Sequence, residues 1–122
     1  MEKILIVDDN KYIRFIMSTL LESSGFEAVT AGDKQMALEE IKNETPQLIV
    51  LDKRLPDCDG IDLLEEIKSI HKDIPVIMLT AYAEEGNEER AKRAGAFAFM
   101  TKPFENNEII ATIEAALKKE SN

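Results

Sequence analysis

The chain of 122 residues is long enough for one domain but short for two, and its composition, 44% hydrophobic and 32% charged, is globular rather than disordered or fibrous. A formal net charge of −9 argues against general binding to nucleic acid, which requires a basic surface. A single cysteine excludes an internal disulfide, so a reducing, cytoplasmic setting is expected. The sequence contains no run of 18 or more apolar residues, so no membrane-spanning helix is predicted.

Short β-rich segments alternate with helical patterns along the chain. Several of these segments are apolar at consecutive positions, which is typical of strands buried on both faces of a parallel sheet. Strands are predicted at residues 3–8, 27–31, 47–52, 74–80 and 97–101. Helices with one apolar face are predicted at residues 11–23, 34–43, 60–71 and 106–119. The (βα)5 alternation predicts an α/β fold, a doubly wound five-stranded parallel sheet with helices on both faces.

The first helix has an amphipathic pattern that separates buried from exposed side chains. The helical spacing places Ile13, Ile16, Met17 and Leu20 on the face that packs against the sheet. Phe15 falls away from that face, so we expect its ring to be exposed. An exposed aromatic ring on this helix is a candidate for contact with a partner.

The helix predicted between the fourth and fifth strands, at residues 83–95, has almost no large apolar side chain. It also contains Gly86, which costs about 1 kcal/mol relative to alanine in a helix interior. Little burial implies low local stability. We therefore expect this helix to be the mobile part of the molecule.

Polar side chains stand at the carboxyl ends of four predicted strands, and only the second strand ends on small uncharged residues. In open parallel sheets, ligands bind at this edge. The residues at the five strand ends, in chain order, are Asp8–Asp9, Ala31–Gly32, Asp52, Thr80 and Thr101–Lys102. Three carboxylates, a hydroxyl and an ammonium are therefore expected to converge on one rim.

The three acids would repel one another unless a cation neutralised them. Two unit charges 4 Å apart interact by about 4 kcal/mol at an effective dielectric constant of 20. Hard oxygen donors favour Mg²⁺, with Mn²⁺ as a substitute, and Mg²⁺ favours a phosphoryl group. Lys102 would neutralise phosphate oxygens, and the Thr80 hydroxyl would donate to one. Because an aspartate can accept a phosphoryl group as an acyl phosphate, Asp52 is the predicted acceptor.

The full set of motifs resembles the receiver domain of bacterial two-component response regulators over essentially the whole chain. The matching motifs are Asp8–Asp9, Asp52 within "LDKRLPDCDG", Thr80–Ala81 and Lys102–Pro103. The resemblance implies one receiver domain over residues 1–122, without an output domain, with a flavodoxin-like strand order 2-1-3-4-5. A monomer is expected.

The resemblance also implies roles for individual residues. Asp52 would take a phosphoryl group from a phosphohistidine of a sensor histidine kinase. Asp9, Asp52 and the backbone carbonyl of Arg54 would hold Mg²⁺, and Asp8 would assist through water. Ala81 would leave space beside the phosphate, and the peptide bond before Pro103 would be cis. Such a protein catalyses its own phosphorylation and slow dephosphorylation but is not a turnover enzyme.

Two further pairs of residues follow from the family pattern. Thr80 and Phe99 occupy the switch positions, although Phe99 lacks the hydroxyl of the tyrosine that is frequent there. Arg54 and Tyr82 occupy the positions that flank the phosphoryl group. Both are bulky, so we predict restricted access for hydrolytic water and a long-lived phosphoaspartate.

Partner docking is predicted on an apolar patch near the same rim. Its candidate members are Ile13, Phe15, Pro103 and Phe104. The expected partners are a sensor histidine kinase and a histidine phosphotransferase, with neither nucleic acid nor membrane.

Simpler explanations exist for parts of the constellation. Asp8 and Asp9 also suit the start of a helix, and Thr80 suits any strand. They become the weaker explanations when Asp52 and Lys102 complete the set. A phosphatase of the haloacid dehalogenase type would carry a second acid two residues after its nucleophile, where this chain has Arg54.

Three roles stay open within the resemblance. A phosphorelay intermediate is favoured by the likeness to sporulation-type single-domain relay proteins in "EKILIVDDN", at Tyr82, in "KPF" and in the terminal "SN". The alternative is a diffusible, chemotaxis-like effector that binds a target protein when phosphorylated. A third is a receiver-like interaction module that is never phosphorylated, which would not need the complete set of polar residues.

Overall fold

A computed structural model describes residues 1–81 and 84–121, with side chains as far as residue 118. Seven strands and five helices lie within this part of the chain. The strands are β1 (Lys3–Val7), β2 (Glu27–Ala31), β3 (Leu48–Leu51), β4 (Arg54–Leu55), β5 (Cys58–Asp59), β6 (Val76–Thr80) and β7 (Ala98–Thr101). The helices are α1 (Lys11–Ser23), α2 (Lys34–Asn43), α3 (Gly60–Ile70), α4 (Asn87–Arg93) and α5 (Asn106–Ser121). Within the described residues, none of these helices is long and apolar enough to cross a membrane.

The five long strands form one parallel sheet in the order β2-β1-β3-β6-β7. Because β4 and β5 belong to a separate two-stranded ribbon, this is the predicted order 2-1-3-4-5 counted along the long strands. The α/β fold with a flavodoxin-like sheet is confirmed. The order reverses at β1, so the edge beyond β1 and β3 is the switch point at which such sheets bind ligands.

Two hydrophobic clusters cover the two faces of the sheet. Alternate side chains of β1 point to opposite faces, so Leu5 packs with α2, α3 and α4, whereas Ile4 packs with α1 and α5. The central strands β1, β3 and β6 are buried along their whole lengths. The predicted helices on both faces are therefore present, and the buried strands explain the continuous apolar runs in the sequence.

The buried face of α1 differs in part from the prediction. Met17 and Leu21 are fully buried, whereas Ile16 is 48% exposed. Ile13 and Leu20 are half-buried against the core. The contact stripe follows the i, i+4, i+7, i+8 spacing from residue 13, and Ile16 lies at its edge. The prediction was therefore wrong for Ile16.

The β4–β5 ribbon that follows Asp52 was not predicted from the sequence. Arg54 pairs with Asp59 and Leu55 with Cys58, around a turn that contains Asp57. The Asp57 carboxylate accepts the backbone N–H groups of Lys34 (2.9 Å) and Gln35 (3.3 Å). These are otherwise unpaired donors of the first turn of α2, so Asp57 ties the ribbon to a helix that is distant in sequence.

The helix α4 is shorter than predicted, seven residues against thirteen. Asn87 and Ala91 are its buried residues. Among the described residues, no side chain caps its first turn, which follows Gly86 at a φ of +84°. Isolated helices of this length are marginal, so packing must stabilise it, and its packing surface is small.

We therefore predict fast amide hydrogen exchange in α4. Amides of residues 87–94 should exchange about tenfold or more faster than those around Ile113 in α5, because α4 opens without exposing much apolar surface. Exchange measured by NMR or mass spectrometry tests this. The longer α5 serves as the internal control, and uniformly slow exchange across residues 84–94 would contradict the prediction.

Candidate functional site: an acidic pocket at the switch point

The sheet register brings the acids of the first and third long strands side by side. Val7 lies opposite Leu51, so the next residues, Asp8 and Asp52, are neighbours just beyond the paired strands. The N–H of Asp52 donates to the carbonyl oxygen of Val7 at 2.9 Å, which continues the hydrogen-bond ladder by one step. The acids are thus placed by the backbone of two buried strands, which is a rigid support.

Lys102 reaches Asp8 and Asp52 from the end of the edge strand β7. Its N–H donates to the carbonyl oxygen of Thr80 at 2.9 Å, which extends the β6–β7 ladder. Its Nζ then donates to Asp8 Oδ2 at 2.6 Å and to Asp52 Oδ2 at 3.1 Å. One ammonium therefore bridges two carboxylates that are only 3% and 4% exposed as residues. The peptide bond between Lys102 and Pro103 is cis, as expected.

Burial sets the ionisation of this cluster. It raises the pKa of Asp8 above its ordinary value, and the negative charge of Asp52 raises it further, against the lowering effects of Lys102 and of the Asn10 N–H. For Lys102, burial alone would lower the pKa. The hydrogen bond to Asp8 and the charges of Asp8 and Asp52 outweigh burial, so the pKa of Lys102 is raised and its ammonium stays charged.

The donor set fits a divalent cation. One carboxylate oxygen from each of Asp8, Asp9 and Asp52 lies within 4.8 Å of the others, close enough for one ion to contact them directly or through bound water. Three carboxylates and the Lys102 ammonium leave two negative charges uncompensated when all are ionised, which one divalent ion would neutralise. Asp9 is the exposed member of the three and lies at the open side.

Asp8 is poorly placed to be a free direct ligand. Its Oδ1 accepts the N–H of Asn10 at 2.9 Å and its Oδ2 accepts Lys102. Both oxygens already accept a hydrogen bond, and the contact of Asp8 with a metal ion through water stays a prediction. Arg54 begins β4, and its N–H lies 3.4 Å from Asp52 Oδ1. The role of the Arg54 carbonyl as a ligand stays a prediction.

The predicted switch residues lie on the neighbouring strands. Thr80 ends β6 in a fully buried position and pairs with Thr101, and Ala81 follows it in an exposed position. Phe99 in β7 is half-buried against the core. The ring also lines a groove of about 300 Å³ with Glu84 and Glu88. The switch role of Thr80 and Phe99 stays a prediction, and Tyr82 lies outside the described residues.

The docking patch is only partly present as predicted. Phe15 is 71% exposed and Pro103 is exposed, whereas Ile13 and Phe104 are half-buried against the core. Two further exposed apolar side chains, Tyr12 (69%) and Ile16 (48%), were not assigned to the patch. The apolar surface of this region therefore lies on the outer face of α1, and partner contact there stays a prediction.

Two contacts near Asp52 were not predicted from the sequence. A Cβ atom at Gly60 would clash with the carbonyl oxygen of Asp52 and lie 2.8 Å from the Cα atom of Lys53, so a glycine is required where the start of α3 approaches the backbone of Asp52 and Lys53. Arg54 Nη2 also binds Glu84 Oε1 at 2.7 Å, which joins the segments after β3 and β6. The "DG" turn signal before α3 could have indicated the first contact, but nothing local indicates the second.

Comparison with known proteins decides the family. The sequence matches the response regulator receiver domain family over residues 4–114. The chain belongs to this family. It is thus a receiver domain of two-component signalling.

Individual relatives of this receiver domain support the same conclusion. It is 36% identical to sporulation initiation phosphotransferase F of Bacillus subtilis over 99% of this chain and 98% of that protein. It is 39% identical to the alkaline phosphatase synthesis transcriptional regulatory protein PhoP of Bacillus subtilis, over 97% of this chain. The match covers 49% of PhoP, so the receiver domain spans about half the length of that relative.

Solved structures agree with the sequence comparison. A CheY-like response regulator receiver domain protein from Methanospirillum hungatei superposes with a TM-score of 0.95 at 32% identity, over 99% of this chain and 97% of that one. The receiver domain of NtrX from Brucella abortus gives a TM-score of 0.90 at 38% identity, over 94% of this chain and 98% of that one. The fold and the family are therefore shown by sequence and by structure.

We predict that Mg²⁺ raises the thermal stability of this receiver domain, because an ion that binds only the folded pocket stabilises the folded state. At tenfold excess over its dissociation constant, the gain is about 1.4 kcal/mol, visible as a rise in Tm. Asp9→Asn should abolish most of this rise. The control, Asp73→Asn, alters an exposed acid in another loop and should keep it. An equal rise in the Asp9 variant would contradict the metal site.

Proposed function

We propose that Asp52 accepts a phosphoryl group from a phosphohistidine in a Mg²⁺-dependent reaction. The observation that carries this proposal is the position of the Asp52 carboxylate, 4% exposed as a residue, bound by Lys102 and grouped with Asp8 and Asp9. Burial of an ionised carboxylate beside other carboxylates costs free energy, so a purely structural aspartate is not expected there. A phosphoryl acceptor is expected there, because the incoming phosphoryl group brings further negative charge that Lys102 and a metal ion would neutralise.

The chemistry requires positioning and charge neutralisation. A carboxylate oxygen of Asp52 forms a bond to phosphorus, the phosphorus–nitrogen bond of the phosphohistidine breaks, and the released imidazole takes a proton from solvent. Bound Mg²⁺ would supply positive charge for the transferring phosphoryl oxygens. Lys102 would shift its hydrogen bonds toward those oxygens, and Thr80, at the adjacent strand end, would donate to one of them. A turnover enzyme is not proposed, because the product remains bonded to the protein.

Acetyl phosphate with Mg²⁺ tests the acceptor. We predict a mass gain of one phosphoryl group on the intact protein, absent in Asp52→Asn, which preserves the shape of the side chain but removes the nucleophilic carboxylate. Asp62→Asn, at an exposed acid ten residues later on α3, should still be labelled. Phosphorylation of the Asp52 variant would contradict the proposal, and so would the absence of phosphorylation in the unaltered protein.

Within this function we infer that the protein is a phosphorelay intermediate. The similarity to sporulation initiation phosphotransferase F over nearly the whole of both chains supports this role, since that relative is named as a phosphotransferase. The bulky Arg54 supports it as well. Its guanidinium forms a salt bridge with Glu84 at 2.7 Å, which joins it to the segment after β6. A relay protein must keep its phosphoryl group until it meets the next histidine.

We therefore predict that the phosphoaspartate persists for minutes or longer after removal of the donor. Arg54→Ala should shorten its lifetime severalfold, because a small side chain admits water. The control is Lys92→Ala, which breaks an exposed salt bridge to Glu88 on α4 and should leave the lifetime unchanged. The phosphorylated fraction is followed by intact mass. Loss within seconds, or no effect of Arg54→Ala, would contradict the prediction.

A groove on the α4–β7–α5 side favours the second candidate, a phosphorylation-dependent effector. Apolar side chains of Phe99 and Met100 lie in this groove, beside Glu84, Glu88 and Glu108. A target protein could bind there. Transfer from the phosphorylated protein to purified histidine phosphotransferases of its host, in preference to binding of a target protein, supports the relay role.

A further inference from the structure

We propose that Arg14 is a positioning residue of the acidic pocket, because its guanidinium holds the main-chain carbonyl of Asp8 and so orients Asp9 toward the metal ion. This inference rests on the Mg²⁺-dependent function proposed above. Arg14 is a half-buried residue of α1, and its Nη1 donates to the Asp8 carbonyl oxygen at 2.6 Å. Hydrogen bonds from a charged donor are shorter and stronger than neutral ones.

The contact acts on Asp9 through the geometry of one peptide unit. The carbonyl of Asp8 and the N–H of Asp9 belong to the same planar group, so fixing the oxygen fixes the plane from which the Asp9 side chain departs. Asp8 itself is held at three oxygens, by Asn10, Lys102 and Arg14. Asp9 is exposed and depends on its backbone for orientation.

Gly32 supplies the space that the guanidinium occupies. In the sheet register Val7 lies opposite Ala31, so Gly32 lies opposite Asp8. A Cβ atom at Gly32 would be 3.0 Å from Nη1 and 3.6 Å from Cζ of Arg14. The backbone of Gly32 has no positive φ, so alanine fits it. The lack of a side chain at Gly32, just after the second strand, therefore leaves room for the Arg14 guanidinium.

This geometry gives a variant that displaces the guanidinium without removing it. In Gly32→Ala the new methyl group meets only the end of a flexible side chain, which can move away at small cost to the fold. Arg14→Ala removes the same hydrogen bond directly. If Gly32 acts through Arg14, the double variant should bind Mg²⁺ no more weakly than Arg14→Ala, since coupled residues give non-additive effects.

The sign of the effect separates positioning from simple electrostatics. Removing a cation near an acidic pocket would, through charge alone, tighten Mg²⁺ binding. Loss of positioning weakens it, and residues that orient metal ligands typically contribute about 10- to 100-fold in metal affinity. We therefore expect about a tenfold or greater increase of the Mg²⁺ dissociation constant in Arg14→Ala and in Gly32→Ala. Lys11→Ala, which removes an exposed charge from the same helix, should not weaken binding.

The experiment is an NMR titration of each variant with MgCl₂, with thermal unfolding recorded in metal-free buffer. Weaker Mg²⁺ binding, a common change of the metal-free Asp9 amide shift in both variants, and partial recovery in Arg14→Lys would support the proposal. Mg²⁺ affinity in Arg14→Ala equal to or above that of the unaltered protein would overturn it. So would additive losses in the double variant.

A failure of the proposed function would look different. The unaltered protein would then bind no Mg²⁺ at all, and this inference would be overturned together with the function. If the unaltered protein binds Mg²⁺ and is phosphorylated at Asp52 while the variants match it, only the role of Arg14 is refuted. Because Gly32→Ala keeps every charge and a compatible backbone, the test does not depend on whether Arg14→Ala folds.

Discussion

The bridge from the Lys102 ammonium to the buried carboxylates of Asp8 and Asp52 is the interaction on which the functional edge depends. The two carboxylates lie at adjacent register positions and are almost fully buried, so the Lys102 ammonium that binds both of them offsets part of the cost of their burial. One lysine offsets only part of the charge of the three carboxylates, which is why a divalent cation is proposed to bind there.

The sheet makes this arrangement possible. Parallel strands that are buried on both faces end at one edge, and the hydrogen-bond ladders extend one residue past β3 and from β6 to Lys102. The polar groups of the pocket are consequently carried by the ends of the buried central strands. Around this rigid edge lie elements with less burial, the ribbon β4–β5 and the short helix α4.

The contacts that support the pocket come from residues without chemistry of their own. Gly60 allows α3 to approach the backbone of Asp52, Gly32 leaves space for Arg14, and Asp57 joins the ribbon to α2. Each acts through shape or through a backbone hydrogen bond. The polar residues of the pocket are therefore part of a larger set of residues that hold the backbone in place.

The sequence by itself determined the strand and helix alternation, the parallel sheet and the identity of the polar residues at its edge. These follow from local patterns, because burial on both faces requires continuous apolar strands and because parallel strands end together. The tertiary structure alone decided the exposure of Ile16, the β4–β5 ribbon, and the pairing of Arg14 with the Asp8 carbonyl and of Arg54 with Glu84. These depend on helix rotation and on how closely segments approach one another. Periodicity does not encode such distances, which are fixed only when the whole core packs.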